Sequence, residues 1–320
     1  MLDVFFTVDV EIWCDGWSDL DARFPAAFRS YIYGPTPSGD YGLPYQLALL
    51  NEHGLKGVFF IEPLFSGRFG MEPLREIVGL IREAGQETQL HLHTEWVDES
   101  RWPMLEGVRA KRQYLRYFDR AEQTRLIALG CELMQQAGAA RPNTFRAGSF
   151  GFNRDTLQAL VANGIPFDCS YNACMFGRDS GLAPGSLLTD CTEVDGVHEF
   201  PMTVFANGVG RLCHAQLTAC SFRELEGLLW QALERGQSSF MLLSHNFELL
   251  NLAKNRPDDL VVQRMRQLCR FLDRHRDVFR VRGFEGLQPR PRPVTQQPLQ
   301  SAAWKTGLRL FEQVYRRRYG

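Results

Sequence analysis

Glycine punctuates this chain at the ends of segments whose apolar residues recur at helical spacing. Gly54, Gly85, Gly138, Gly164 and Gly236 each follow such a segment, where a left-handed residue closes an α-helix. The spacing predicts helices over 43–52, 73–84, about 120–136, 153–163, 222–235 and 257–274, with Asp119-x-x-Glu122 a capping box and Ser221 a cap. Between them lie short apolar runs such as Val58-Phe59-Phe60-Ile61 and Phe240-Met-Leu-Leu, the pattern of strands buried on both faces. Roughly seven strands alternating with helices predict an α/β fold with a parallel sheet closed as a (β/α) barrel, whose functional residues gather at the C-terminal strand ends.

Composition excludes several partners. The 320 residues carry a net charge of −1 at pH 7, which gives no reason to expect nucleic acid. Acids interrupt the apolar N-terminal run (Leu2 to Ile12), so it reads as a strand and not as a signal peptide. No uncharged apolar stretch approaches the roughly 20 residues of a spanning helix. Eight cysteines without a close CxxC pair read as reduced thiols. A cytoplasmic protein is the expectation.

Polar residues stand where the apolar runs give out: Asp9 and Glu11, His91 and His93, Arg146, Asp168, and His245. In Gln89-Leu-His-Leu-His-Thr-Glu95 an extended backbone would send His91, His93 and Glu95 to one face. Such a pair of imidazoles is either a partial shell for Zn²⁺ or two buried histidines bonded to their neighbours. Residues 13–43 read as a long irregular loop whose aromatics form a small core of their own, and residues 99–117 as an insertion. His53 is expected to cap a helix, His198 to lie in a strand and His275 to be exposed, while His214 has no assigned role.

Five ordered segments then carry a resemblance: Thr7-Val-Asp9, Gly85-Gln-Glu-Thr-Gln-Leu-His91, Phe145-Arg146-Ala-Gly148, Phe167-Asp168-Cys-Ser170 and Leu242-Leu-Ser-His245. Together they resemble a divergent polysaccharide deacetylase of the NodB-homology type (carbohydrate esterase family 4-like), over about residues 1–285. The resemblance implies a distorted (β/α)₇ barrel and metal-dependent removal of an acetyl group from an N-acetylated saccharide. It implies Asp9 as catalytic base, Arg146 as the cation paired with it, His91 as the first metal histidine, Asp168 as the acid tuning the catalytic histidine, and His245 as general acid. Two departures stand out. Val10 occupies the place of a second acid, with Glu11 one residue later, and Glu95 stands where a second metal histidine is usual, with His93 nearer. The expected ligands of a divalent ion, Zn²⁺ by preference, are therefore Glu11, His91 and His93, with Glu95 in reserve.

Amide hydrolysis needs a polarised carbonyl, an activated water and a proton for the leaving amine, and this set offers a group for each. The expected function is a cytoplasmic de-N-acetylase acting on a cell-envelope saccharide or its precursor. The alternatives are a metal-independent amide hydrolase and an inactive carbohydrate-binding barrel. The barrel is expected over residues 1–288, and a Pro/Arg-rich linker with an amphipathic tail over 289–320. Apolar residues at helical spacing opposite arginines give that tail the pattern of a peripheral membrane contact.

Overall fold

The computed structural model describes residues 1–108, 110–292 and 297–319. Within the predicted linker, residues 293–296 lie outside the described residues, as do the side chains of Tyr315, Arg317 and Arg318 in the tail. The chain divides into two compact units, one of Met1–Gly57, Thr203–Arg282 and Pro298–Gly320, the other of Val58–Met202 and Gly283–Gln297.

The first unit is organised on the strand Leu2–Val10, buried along its whole length. It pairs in parallel with Ser239–His245 and, at its start, with Phe279–Val281. The register sets Phe5 beside Met241 and Asp9 beside His245, so the acid and the imidazole leave the sheet at the same level. Helices Leu43–Glu52, Phe222–Glu234 and Asp259–Arg274 fall where the periodicity places them. Ser221 caps the second of these, with Glu224 completing a capping box. A smaller sheet joins Val204–Ala206 to Leu212–His214 and to Leu299–Gln300.

Residues 13–43 differ from the loop expected of them. They hold the helix Leu20–Phe28, a wide turn Arg29–Tyr33 and a two-residue hairpin at Pro35–Thr36 and Gly39–Asp40. Pro25 sits inside that helix, which is why the stretch reads as broken. The aromatics do pack among themselves and their neighbours: Trp13 meets Trp17 edge-on at 6.0 Å, and Tyr31 meets Phe247 at 5.0 Å.

The second unit is a parallel run of Gly57–Ile61, Glu87–Leu92, Thr144–Ala147, Phe167–Asp168 and Val197–Glu199, edged by antiparallel Thr192–Val194. Helices Glu72–Glu83, Arg120–Gln136 and Arg154–Ala162 connect its strands. The Asp119 capping box forms as its spacing predicts, Asp119 accepting from the Glu122 amide at 2.8 Å and Glu122 from the Asp119 amide at 2.9 Å.

His53 closes its helix and bonds Asp273 at 3.0 Å, and His198 lies in a strand. His275 is a correction: it is half-buried, its ring 5.2 Å from Trp230 and 4.7 Å from Phe271. None of the eight cysteines is in a disulfide, and among the described residues no helix is long and apolar enough to cross a membrane.

Candidate active site

In the first unit, parallel pairing carries Asp9 and His245 out together, and Glu11 follows one alternation later on the acid side. Donor atoms of Asp9, Glu11 and His245 all lie within 4.8 Å of one another. Glu11 and His245 are held by ordinary bonds. Trp13 Nε1 donates to Glu11 Oε2 at 2.8 Å, and the Asn246 side chain bridges the Glu11 amide and carbonyl to the Tyr31 carbonyl. Gln46 Nε2 donates to the His245 carbonyl at 2.9 Å.

His245 Nδ1 donates to Glu248 Oε1 at 2.8 Å, which fixes Nε2 as the outward nitrogen. Gln216 Nε2 donates to the same carboxylate, and His214 Nε2 bonds the Gln216 carbonyl oxygen at 2.9 Å. The chain His245–Glu248–Gln216–His214 gives His214 its place. Burial disfavours the charged His245 ring, but the Glu248 bond and the charges of Glu248, Glu11 and Asp9 outweigh it and hold the pKa up at about 9. An imidazolium at neutral pH is a proton donor.

In the second unit, strand Glu87–Leu92 ends earlier than the alternation of its sequence suggests. Thr94–Glu99 is a 3₁₀ turn, so Glu95 does not share an extended face with the histidines. Its carboxylate instead turns back to accept from His93 Nδ1 at 3.3 Å. His91 and His93 do come together, ring centroids 4.8 Å apart at 80°. His91 Nδ1 donates to the Arg146 carbonyl at 2.8 Å. Each ring thus commits Nδ1 to an oxygen and presents Nε2 as its acceptor nitrogen, the way metal-ligating histidines are oriented. The donor types, two imidazoles with carboxylates, fit a borderline divalent ion.

Gly148 makes room for this pair. A Cβ there would lie 2.6 Å from the Leu92 carbonyl oxygen and 2.8 Å from the His93 ring. Gly148→Ala should cost about 1–3 kcal/mol, read as a lowered midpoint in denaturant. Directly after it Ser149 and Phe150 hold left-handed backbone, with φ of 50° and 57°, strain of a kind concentrated at functional sites.

Arg146 is fully buried, with its guanidinium 4.3 Å from the centre of the Phe60 ring and Nε 3.4 Å from the Cys169 carbonyl. The next two strands bring Asp168 beside Glu199. Asp168 accepts from Ser170 Oγ at 2.6 Å, and Glu199 from the Tyr171 amide at 3.0 Å. The remaining oxygen of each carboxyl group is buried with no conventional donor, which one shared proton resolves. Burial raises both pKa values, Asp168 to about 6, and Glu199 is raised further by the charge of Asp168.

Three acids here went unread in the sequence. Glu248 is the partner of His245, the role the resemblance gave to Asp168. Glu199 shares the proton of Asp168. Glu62 follows the strand Gly57–Ile61, accepts from the Leu64 and Phe65 amides at 2.7 and 3.2 Å, and is pushed by burial to about 8. Its signal was available, since it stands directly after Val58–Ile61 as His245 stands after its own apolar strand. Glu248 and Glu199 lie in a turn and inside a strand, where no periodicity marks them.

No protein-family model matches this sequence, and no curated protein matches it. Among solved structures, a Mycobacterium smegmatis protein named as a candidate polysaccharide deacetylase is similar over 93% of this chain and 95% of its own, at 20% identity and a TM-score of 0.53. A family 4 carbohydrate esterase from Streptomyces lividans is similar over 86% of this chain and 89% of its own, at 12% identity and a TM-score of 0.40. The first likeness shows the fold: the α/β barrel of the NodB-homology type expected from the sequence, followed by a C-terminal helix.

Proposed function

We propose that this chain, on the fold of the polysaccharide deacetylase barrel, is a metal-dependent de-N-acetylase acting on an acetamido group of a cell-envelope saccharide or its precursor. The observation that carries the reading is the histidine pair of the second unit, both rings fixed through Nδ1. In this reading Glu11, His91 and His93 hold the divalent ion, zinc by preference. When bound, such an ion polarises a carbonyl and lowers the pKa of water. Asp9 takes the proton from the attacking water. His245, kept cationic by Glu248, delivers a proton to the departing amine. In the same reading Arg146 is the cation that keeps Asp9 ionised, and Asp168 with Glu199 forms a proton-sharing pair that braces the strand floor. Cysteines outside any disulfide suit a reducing compartment, and we propose the cytoplasm as the place of action.

The test is acetate release from N-acetylglucosamine oligosaccharides by purified protein. Activity with added Zn²⁺ that falls to background in a chelator is the expected result. No acetate from any acetylated saccharide with stoichiometric metal bound would sink the proposal.

One observation favours a second reading, amide hydrolysis without a metal. Asp9, Glu11 and His245 form a self-contained acid and base set within 4.8 Å. Turnover unchanged by exhaustive chelation would select it.

A further inference from the structure

The C-terminal helix Ala303–Tyr319 is mounted with its polar side inward. Thr306 and Arg309 are only 3% and 6% exposed. Thr306 Oγ1 accepts from the Gly208 amide at 2.9 Å, and Arg309 Nε lies 3.5 Å from Glu224, the capping-box acid of helix Phe222–Glu234. Further along, Glu312 pairs with buried Arg264 at 2.7 Å and Arg316 with Asp258 at 2.6 Å. These bonds fix both the position of the helix and its rotation.

The opposite side is apolar and faces water. At 3.6 residues per turn, positions 304, 308, 311 and 314 fall on one stripe. Trp304 is 63% exposed, Phe311 70% and Val314 62%. Two loop tips of the same unit flank the helix with further exposed apolar residues. Val209 is exposed on the turn whose Gly208 bonds Thr306, and Leu252 is exposed at a cleft shared with Gln313 and Arg316. A surface helix ordinarily buries its apolar stripe, and an exposed one of this extent marks an interaction site.

Charge identifies the partner. The nearby acids Glu312 and Asp258 are each neutralised by an arginine. The edge of the face carries Lys305, its ammonium 5.6 Å from the centre of the Trp304 ring, and exposed Arg211 on the turn whose Gly208 bonds Thr306. Aromatic and aliphatic groups edged by cations suit the headgroup level of an anionic bilayer, where the rings sit among acyl chains and the cationic groups meet phosphate. We propose that this face docks the protein on an anionic lipid surface. The inference is independent of the hydrolase reading.

The full chain should sediment with vesicles of phosphatidylcholine containing phosphatidylglycerol and much less with phosphatidylcholine alone. Lipids brominated in the acyl chain should quench its tryptophan fluorescence, and Trp304→Phe should remove that quenching. The double variant Trp304→Glu/Phe311→Glu changes only exposed side chains and should lose at least about tenfold in vesicle binding. Its thermal midpoint should be unchanged. Two results would overturn the proposal: no sedimentation of the wild-type chain with anionic vesicles, or a wild-type dimer that the double variant converts to monomer while vesicle binding is absent. The first removes the lipid partner, and the second assigns the stripe to another copy of the chain.

Discussion

His245→Asn should lower acetate release by about 10²–10⁴-fold, the usual worth of a positioned general acid, with metal content and thermal midpoint unchanged. Its partner can be tested more finely. Glu248→Gln keeps the shape and a hydrogen bond but removes the charge that outweighs burial at the imidazole. The alkaline limb of the pH–rate profile, expected near pH 9 in the wild type from His245, should then move down toward the ordinary imidazole range. A fall in kcat of about 10–100-fold at pH 8 should accompany it, with KM little changed. The same group leaves a mark on stability. Its folded pKa lies above the unfolded value, so its contribution is complete below about pH 6.5 and is lost as pH rises through about 9. Metal-free protein should therefore lose denaturation midpoint over that window, and Glu248→Gln should flatten the loss. An alkaline limb that does not move in Glu248→Gln would remove His245 from the role of acid.

His91→Ala and His93→Ala should each abolish stoichiometric zinc in dialysed protein and bring acetate release to background. Glu95→Gln should weaken zinc by about 10–100-fold without abolishing it, because Glu95 orients His93 from behind. That contrast is what the turn at Thr94–Glu99 predicts. Had the strand continued through Glu95, the carboxylate would stand beside the imidazoles and its loss would equal theirs. Equal losses in all three variants would restore Glu95 as a ligand.

Much of this could be read along the chain. Glycine stops placed the main helices to within a residue or two, because a left-handed cap is a local requirement that no distant contact can waive. The capping box at Asp119 and the cap at Ser221 held because they too are local requirements. The helix interrupted by Pro25 was missed, since tertiary packing overrides the local penalty that makes proline look like a break. The C-terminal helix was anticipated as an amphipathic segment, but which side it buries could not be: Arg309 and Thr306 turn inward only because Glu224 and the Gly208 amide await them.

The sequence by itself determined that strands and helices alternate, and that acids and imidazoles stand where apolar runs end. Both follow from local hydrophobic periodicity. Which carboxylate serves which ring was decided by the tertiary structure alone. Glu248 reaches His245 from a turn, Glu199 reaches Asp168 from the neighbouring strand, and Glu95 folds back on His93. A hydrogen bond is made across a few ångströms of space, and sequence spacing carries no record of that distance once the backbone turns.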